Sequence, residues 1–177
     1  MSEVEEKLYS SGPVLVRFKG DFLFGKLYNG IKKWYKSNRF ISHELKYKDK
    51  SSGGERLIQV KLYGDIKTTE YYKHKVEVVI FIEHYFEKQV QVDGKKEVIG
   101  NGKLSVSING TVIADHKGLF EVKSRFSWVE KLYKELGRLL FLVRKNEFAM
   151  KEAGVLAGQL ESLSNDIKHI LNMQSKV

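Results

Sequence analysis

The stretch from residue 76 to residue 92 constrains this chain more than any other. Seven of its nine even-numbered positions are apolar (Val76, Val78, Ile80, Ile82, Phe86, Val90 and Val92), with His84 and Lys88 as the exceptions. Successive side chains of a strand point to opposite faces, so a period of two over this length specifies a long strand buried on one side. Such a strand needs paired neighbours and a second layer over its apolar face.

The neighbours are legible. Val14, Val16, Phe18 and Phe22 alternate with Arg17, Lys19 and Asp21, which reads as a strand. Ile58, Val60, Leu62 and Ile66 mark another, with Gln59, Lys61, Tyr63 and Asp65 on its opposite face. Leu45 and Tyr47 alternate with lysines, and Leu104, Val106 and Ile108 form a further strand. Asp93-Gly94 and Asn109-Gly110 are hairpin signals, because glycine accepts the positive φ that tight turns require. Val112 to Ala114 and Leu119 to Val122 read as additional strand pieces.

Two segments change period. From about Leu23 to Asn38 the apolar residues Leu27, Ile31, Trp34 and Tyr35 recur at helical spacing, with lysines on the other face. From Ser127 no proline intervenes, and Ser127 with Glu130 makes a capping-box pattern. Trp128, Val129, Leu132, Tyr133, Leu136, Leu139, Leu140 and Val143 give a wide apolar stripe, expected to lie on the sheet. Beyond it, Ala149, Ala153, Leu156, Leu160, Leu163, Ile167 and Ile170 follow strict heptad spacing. That seam has two readings: it folds back on the domain, or it joins a second subunit. The homodimer is the favoured one, with Leu156, Leu160, Leu163, Ile167 and Ile170 as its interface.

These elements read as an α+β fold. The expected architecture is a curved antiparallel sheet of about six strands with an N-terminal helix and a long C-terminal helix, extended by a heptad-patterned arm. The expected division is a flexible acidic N-terminus over 1–12, the domain over 13–145 and the helical arm over 146–177, a possible dimerisation element.

The order strand, helix, antiparallel meander and closing helix, over roughly Val14 to Val143, is similar to that of the START-like helix-grip superfamily. The resemblance implies a sheet curled around its C-terminal helix and a cavity between them for a lipid or other apolar small molecule. Its pocket wall would include His84, Ile82, Phe86 and Trp128. A plainer reading of His84 is a bend in the strand or a hydrogen bond within the core.

Motifs for catalysis are absent from the sequence. There is no cysteine, so thiolate metal sites and disulfides are excluded. The five histidines show no HxH or HExxH spacing, and no metal or cofactor is expected. Gly100-Asn101-Gly102 lacks the third glycine of a dinucleotide loop and reads as strand or turn punctuation. Asp115-His116 has the residue types of a dyad, but neighbours on a strand face opposite ways. The expectation is a protein that is not an enzyme.

Charge supplies the positive argument. The formal net charge is +9, and residues 13–75 hold fifteen Lys/Arg against six Asp/Glu, while residues 76–177 are nearly balanced. Such asymmetry reads as a basic surface for an anionic partner. Lys26, Lys32, Lys33, Lys36 and Arg39 make a cationic helix face, and Lys46, Lys48, Lys61, Lys67, Lys73 and Lys75 extend it across strands. Lysine suits phosphate contact without base readout, and Tyr63, Tyr71 and Tyr72 are candidates for stacking. The resulting expectation is a START-like, basic, dimeric protein that binds RNA or a ribonucleoprotein such as a ribosomal subunit. A cytoplasmic location without membrane association is expected, since no apolar run reaches the ~20 residues of a span.

Overall fold

A computed structural model describes residues 6–52, 55–69, 72–92, 95–114 and 127–173. The elements in chain order are β1 (Glu6–Ser10), β2 (Val14–Phe22), α1 (Phe24–Ser37), β3 (Ile41–Ser52), β4 (Glu55–Lys67), β5 (Tyr72–Val92), β6 (Lys95–Ala114) and α2 (Ser127–Ile170). The fold is α+β, a curved six-stranded antiparallel sheet with an N-terminal and a C-terminal helix.

β3 to β6 form a meander, each strand pairing with the next. β6 carries β5 on one edge and both N-terminal strands on the other. β2 pairs from Val14↔Ile108 to Phe22↔Gly100, and β1 pairs from Glu6↔Ala114 to Ser10↔Thr111. Between them, Ser11 N–H donates to the Gly110 carbonyl at 2.9 Å, and Gly110 N–H donates to Ser11 Oγ at 2.9 Å. Pro13, lacking a donor, falls in this break. β1 lies within the segment expected to be a flexible N-terminus, so that expectation is corrected: from Glu6 the chain is part of the sheet.

The alternation of the strands places one face inward. Val76, Val78, Ile80 and Ile82 of β5 join Ile58, Val60 and Leu62 of β4 and Leu104, Val106 and Ile108 of β6, all buried. Two helices cover them. α1 contributes Leu27, Ile31, Trp34 and Tyr35, and contacts β3 and α2. α2 contributes Leu156, Leu160, Leu163 and Ile167, followed by Leu171, and contacts β6, β2 and β1. Each such side chain taken out of water contributes about 1.5–3 kcal/mol.

The two halves of α2 therefore have roles opposite to those expected. The heptad seam is the core-facing stripe of this chain. Leu156, Leu160, Leu163 and Ile167 are buried, and Ile170 is half-buried against Gly30 of α1. They are not an exposed surface for a second subunit. In the first half, Trp128 is 66% exposed, Leu132 51% and Leu136 47%, so these residues do not lie on the sheet. The boundary expected at 145/146 falls inside one unbroken helix, and the expected arm is integral to the core.

Asn109-Gly110 is not a hairpin. It lies within β6, where Gly110 pairs with Val76. A Cβ on Gly110 would meet Leu160 Cδ1 at 2.8 Å and Leu156 Cδ2 at 2.9 Å, so this glycine lets α2 approach the sheet. β5 and β6 pair up to Val92↔Lys95, as the Asp93-Gly94 signal implies. Leu119–Val122 and Asp115-His116 lie outside the described residues, as does Tyr71.

Candidate nucleic-acid interface

On the opposite face of the sheet Arg17, Lys19, Lys48, Lys50, Lys67 and Lys103 are exposed. Register assigns the occupants of this face. β2 presents Arg17 and Lys19; β3 presents His43, Lys46, Lys48 and Lys50; β4 presents Lys61, Tyr63 and Lys67; β5 presents Lys73, Lys75 and Phe81; β6 presents Lys103. Carboxylates share this face: Asp21, Asp65, Glu77 and Glu83.

Three cross-strand positions set lysine directly opposite lysine: Lys46↔Lys61, Lys67↔Lys73 and Lys19↔Lys103. Like charges facing each other across a ladder are destabilising. Each pair has a carboxylate beside it: Lys61 lies 2.8 Å from Glu77, Lys73 lies 3.1 Å from Asp65, and Glu83 of β5 stands directly opposite Lys103. Arg17, Lys19, Lys46, Lys48, Lys50 and Lys103 have no ion-pair partner among the described residues. The crowding has an electrostatic consequence: Lys48 beside it pushes the pKa of the Lys46 ammonium below its ordinary value, with Lys61 and Lys50 adding to the effect.

Aromatic rings interleave with the cations. Tyr63 sits between the His43 ring, stacked at 6.2 Å, and the Lys75 ammonium 5.0 Å from its centroid. Phe81 lies in a shallow basin of about 500 Å³ with Arg17, Lys19, Glu83, Lys103 and Ser105. The surface thus combines phosphate-reaching cations with flat rings on a rigid sheet.

No protein-family model matches the chain, and no curated protein matches it. The interface therefore rests on its own geometry.

That geometry divides the residues anticipated from sequence. Lys46, Lys48, Lys61, Lys67 and Lys73 share the open face. Lys26, Lys32, Lys33 and Lys36 are exposed on α1, which lies on the other side of the sheet, and Arg39 follows α1. The two sets meet only around β3, the sheet's edge strand. Tyr63 is on the open face, whereas Tyr72 packs on the inward side. Arg17, Lys19, Lys50, Phe81 and Lys103 were not anticipated. Their alternation is legible in sequence, but the approach of Arg17 and Lys19 to Lys103 depends on β2 pairing with β6 across most of the chain.

The pocket expected from the helix-grip resemblance does not assemble from its named residues. A bulge between Glu83 and Phe86 shifts the alternation of β5 by one. His84 takes φ +52° and is exposed, Tyr85 takes the inward place at 6% exposure, and Phe86 turns outward at 48%. Ile82 is buried in the core and Trp128 is exposed, so the four line no common cavity. The strand-bend reading of His84 is the one observed. Gly100 and Gly102 of β6 face this bulge: a Cβ on Gly102 would meet the Glu83 carbonyl oxygen at 2.8 Å.

Among the described residues no group of three His, Asp or Glu side chains is placed to hold a metal, and no helix is long and apolar enough to cross a membrane.

Proposed function

We propose that this chain is a nucleic-acid-binding protein that holds single-stranded RNA, free or within a ribonucleoprotein, on the open face of its sheet. The observation that carries the reading is the placement of lysine opposite lysine at three cross-strand positions of that face. A fold that keeps such pairs tolerates a local repulsion that an anionic strand would relieve. The spacing supports a backbone-directed contact, because neighbouring strands lie ~4.8 Å apart and alternate residues along one face ~6.8 Å apart. That lattice of cations matches a flexible phosphodiester chain. Tyr63 and Phe81 supply stacking positions worth about 1–3 kcal/mol per base, without sequence preference. The proposed activity is binding rather than catalysis.

The test is the salt dependence of binding to unstructured RNA, by fluorescence anisotropy. For Lys46→Glu/Lys48→Glu, affinity falls and the slope of log K against log[salt] becomes shallower by about 0.7 per lost phosphate contact. Unchanged affinity and slope would refute this reading.

A further inference from the structure

A second cationic feature lies where α1 ends against the edge strand β3. A half-open groove of about 450 Å³ is walled by Lys32, Lys36, Arg39, Ser42 and Glu44, with the nearly buried Tyr35, Phe40 and Leu62 beneath. Its volume falls in the range of small-molecule sites, roughly 300–1,000 Å³, and its accessible rim is mainly cationic.

The backbone beneath it is unusual. α1 closes with Phe40 N–H donating to the Tyr35 carbonyl at 2.9 Å and Arg39 N–H donating to the Lys36 carbonyl at 3.1 Å. This is a Schellman-type turn, whose left-handed position is most often glycine. Here Arg39 occupies it at φ +61°. A residue held in that region marks a position where the side chain has been kept against a local preference. The same turn gives the Tyr35 and Lys36 carbonyls hydrogen-bond partners, and the negative end of the α1 dipole is left for Lys36 and Arg39 to outweigh.

The charges are arranged for one anionic group. Lys36 and Arg39 have no ion-pair partner among the described residues. The one carboxylate on the wall, Glu44, accepts a hydrogen bond from the Tyr28 hydroxyl, and Lys32 lies 4.4 Å above the Tyr28 ring. A phosphate monoester carries close to two negative charges at neutral pH and three acceptor oxygens, against one charge for an internal diester. A recess with converging cations favours the former, and one of this size has room for more than a bare phosphate.

We propose that this groove binds a phosphate monoester, with Arg39 and Lys36 on the phosphate. The source is either a free nucleoside monophosphate or the phosphorylated end of a strand, and the site does not depend on binding to the open face.

Calorimetry with AMP and adenosine, and anisotropy with one short single-stranded RNA bearing a 5′ phosphate, a 3′ phosphate or hydroxyls at both ends, separate the outcomes. In the wild type AMP binds and adenosine does not. Arg39→Gly, which keeps the turn, and Lys36→Gln each weaken the phosphate-bearing ligand by about tenfold or more. A preference for one phosphorylated end assigns the strand terminus as the source; AMP binding without that preference assigns the free nucleotide. AMP binding that depends on Arg39, with no RNA bound at all, sustains this site and removes the open-face reading. Equal RNA affinity whatever the ends, together with no AMP binding, overturns the site and leaves that reading intact. AMP binding insensitive to both substitutions also overturns it.

Discussion

His74 Nε2 lies 2.8 Å from Glu152 Oε2, joining β5 to α2 through an imidazole that is fully buried. Thr68 Oγ1 donates to the same carboxylate oxygen at 3.4 Å, and to the Tyr72 carbonyl at 3.2 Å. His74 Nδ1 has no partner among the described residues. Removing the carboxylate would leave a buried imidazole with no acceptor or donor at either nitrogen. Glu152→Ala is therefore expected to destabilise the protein by about 1–3 kcal/mol, measured by urea unfolding.

The inverted roles of the two halves of α2 predict an asymmetric mutational response. Leu160→Ala or Leu163→Ala empties a buried site and is expected to lower stability by about 2–5 kcal/mol. Leu132→Ala, at an exposed position, should change it by no more than about 0.5 kcal/mol. Denaturation midpoints at constant m-value check both; equal effects would return the seam to the role of an outward-facing interface.

Gly64 offers a second check on helix placement. A Cβ there would stand 2.6 Å from the Tyr35 ring carbons Cδ1 and Cε1 and 3.3 Å from Phe40 Cβ. Gly64→Ala forces β4 and α1 apart, with an expected loss of about 1–3 kcal/mol in thermal or chemical unfolding.

Arg39→Gly should raise stability while lowering ligand affinity. Glycine relieves the left-handed strain at φ +61°, with an expected gain of up to about 1 kcal/mol. A loss of stability instead would mean that the arginine side chain packs more than it strains.

Tyr35 sets the alkaline limit. Its phenol is buried, and burial raises its pKa far above the ordinary 10.0, with the Glu77 carboxylate adding to the shift. Burial likewise raises Tyr28, Tyr72 and Tyr85. A group whose folded pKa lies above its unfolded value contributes its full stability below the unfolded pKa. That contribution is lost as the pH climbs through the window between the two. Stability should hold to about pH 10 and then fall. Tyr35→Phe should flatten this alkaline slope, and at pH 7 cost about 0.5–1.5 kcal/mol for the hydrogen bond to the Val76 carbonyl at 3.2 Å. Unfolding free energies across pH 7–11 test the sign.

The fold was legible wherever a local pattern decides the outcome. The alternation of Val76 to Ile82 and the helical spacing of Leu27, Ile31, Trp34 and Tyr35 both survive into the structure. What failed was the choice between two apolar stripes on one helix. Trp128, Leu132 and Leu136 form the broader stripe in sequence, yet Leu156, Leu160 and Leu163 meet the sheet, and hydrophobicity alone does not encode which stripe finds a partner. A clue was present in Gly64 and Gly110, glycines at inward strand positions that mark close approach of a helix, but Asn109-Gly110 reads equally well as a turn. The candidate interface was half legible. Lys46, Lys48 and Lys61 announce themselves by alternation, whereas Arg17, Lys19 and Lys103 join them only through a non-local pairing that no short window contains.

The double-sided pairing of β6 also orders events during synthesis. The meander from β3 to β6 can grow hairpin by hairpin, each strand meeting one made just before it. β1 and β2 precede the meander, yet their pairing surface, residues 100–114, lies in β6, the last of the described strands to be made. Until then Val14 to Phe22 carries buried-type residues and an unfilled ladder with no partner available. The ribosome thus releases β1 and β2 well before the fold can receive them, and Glu6 to Phe22 is the stretch most in need of protection until β6 follows.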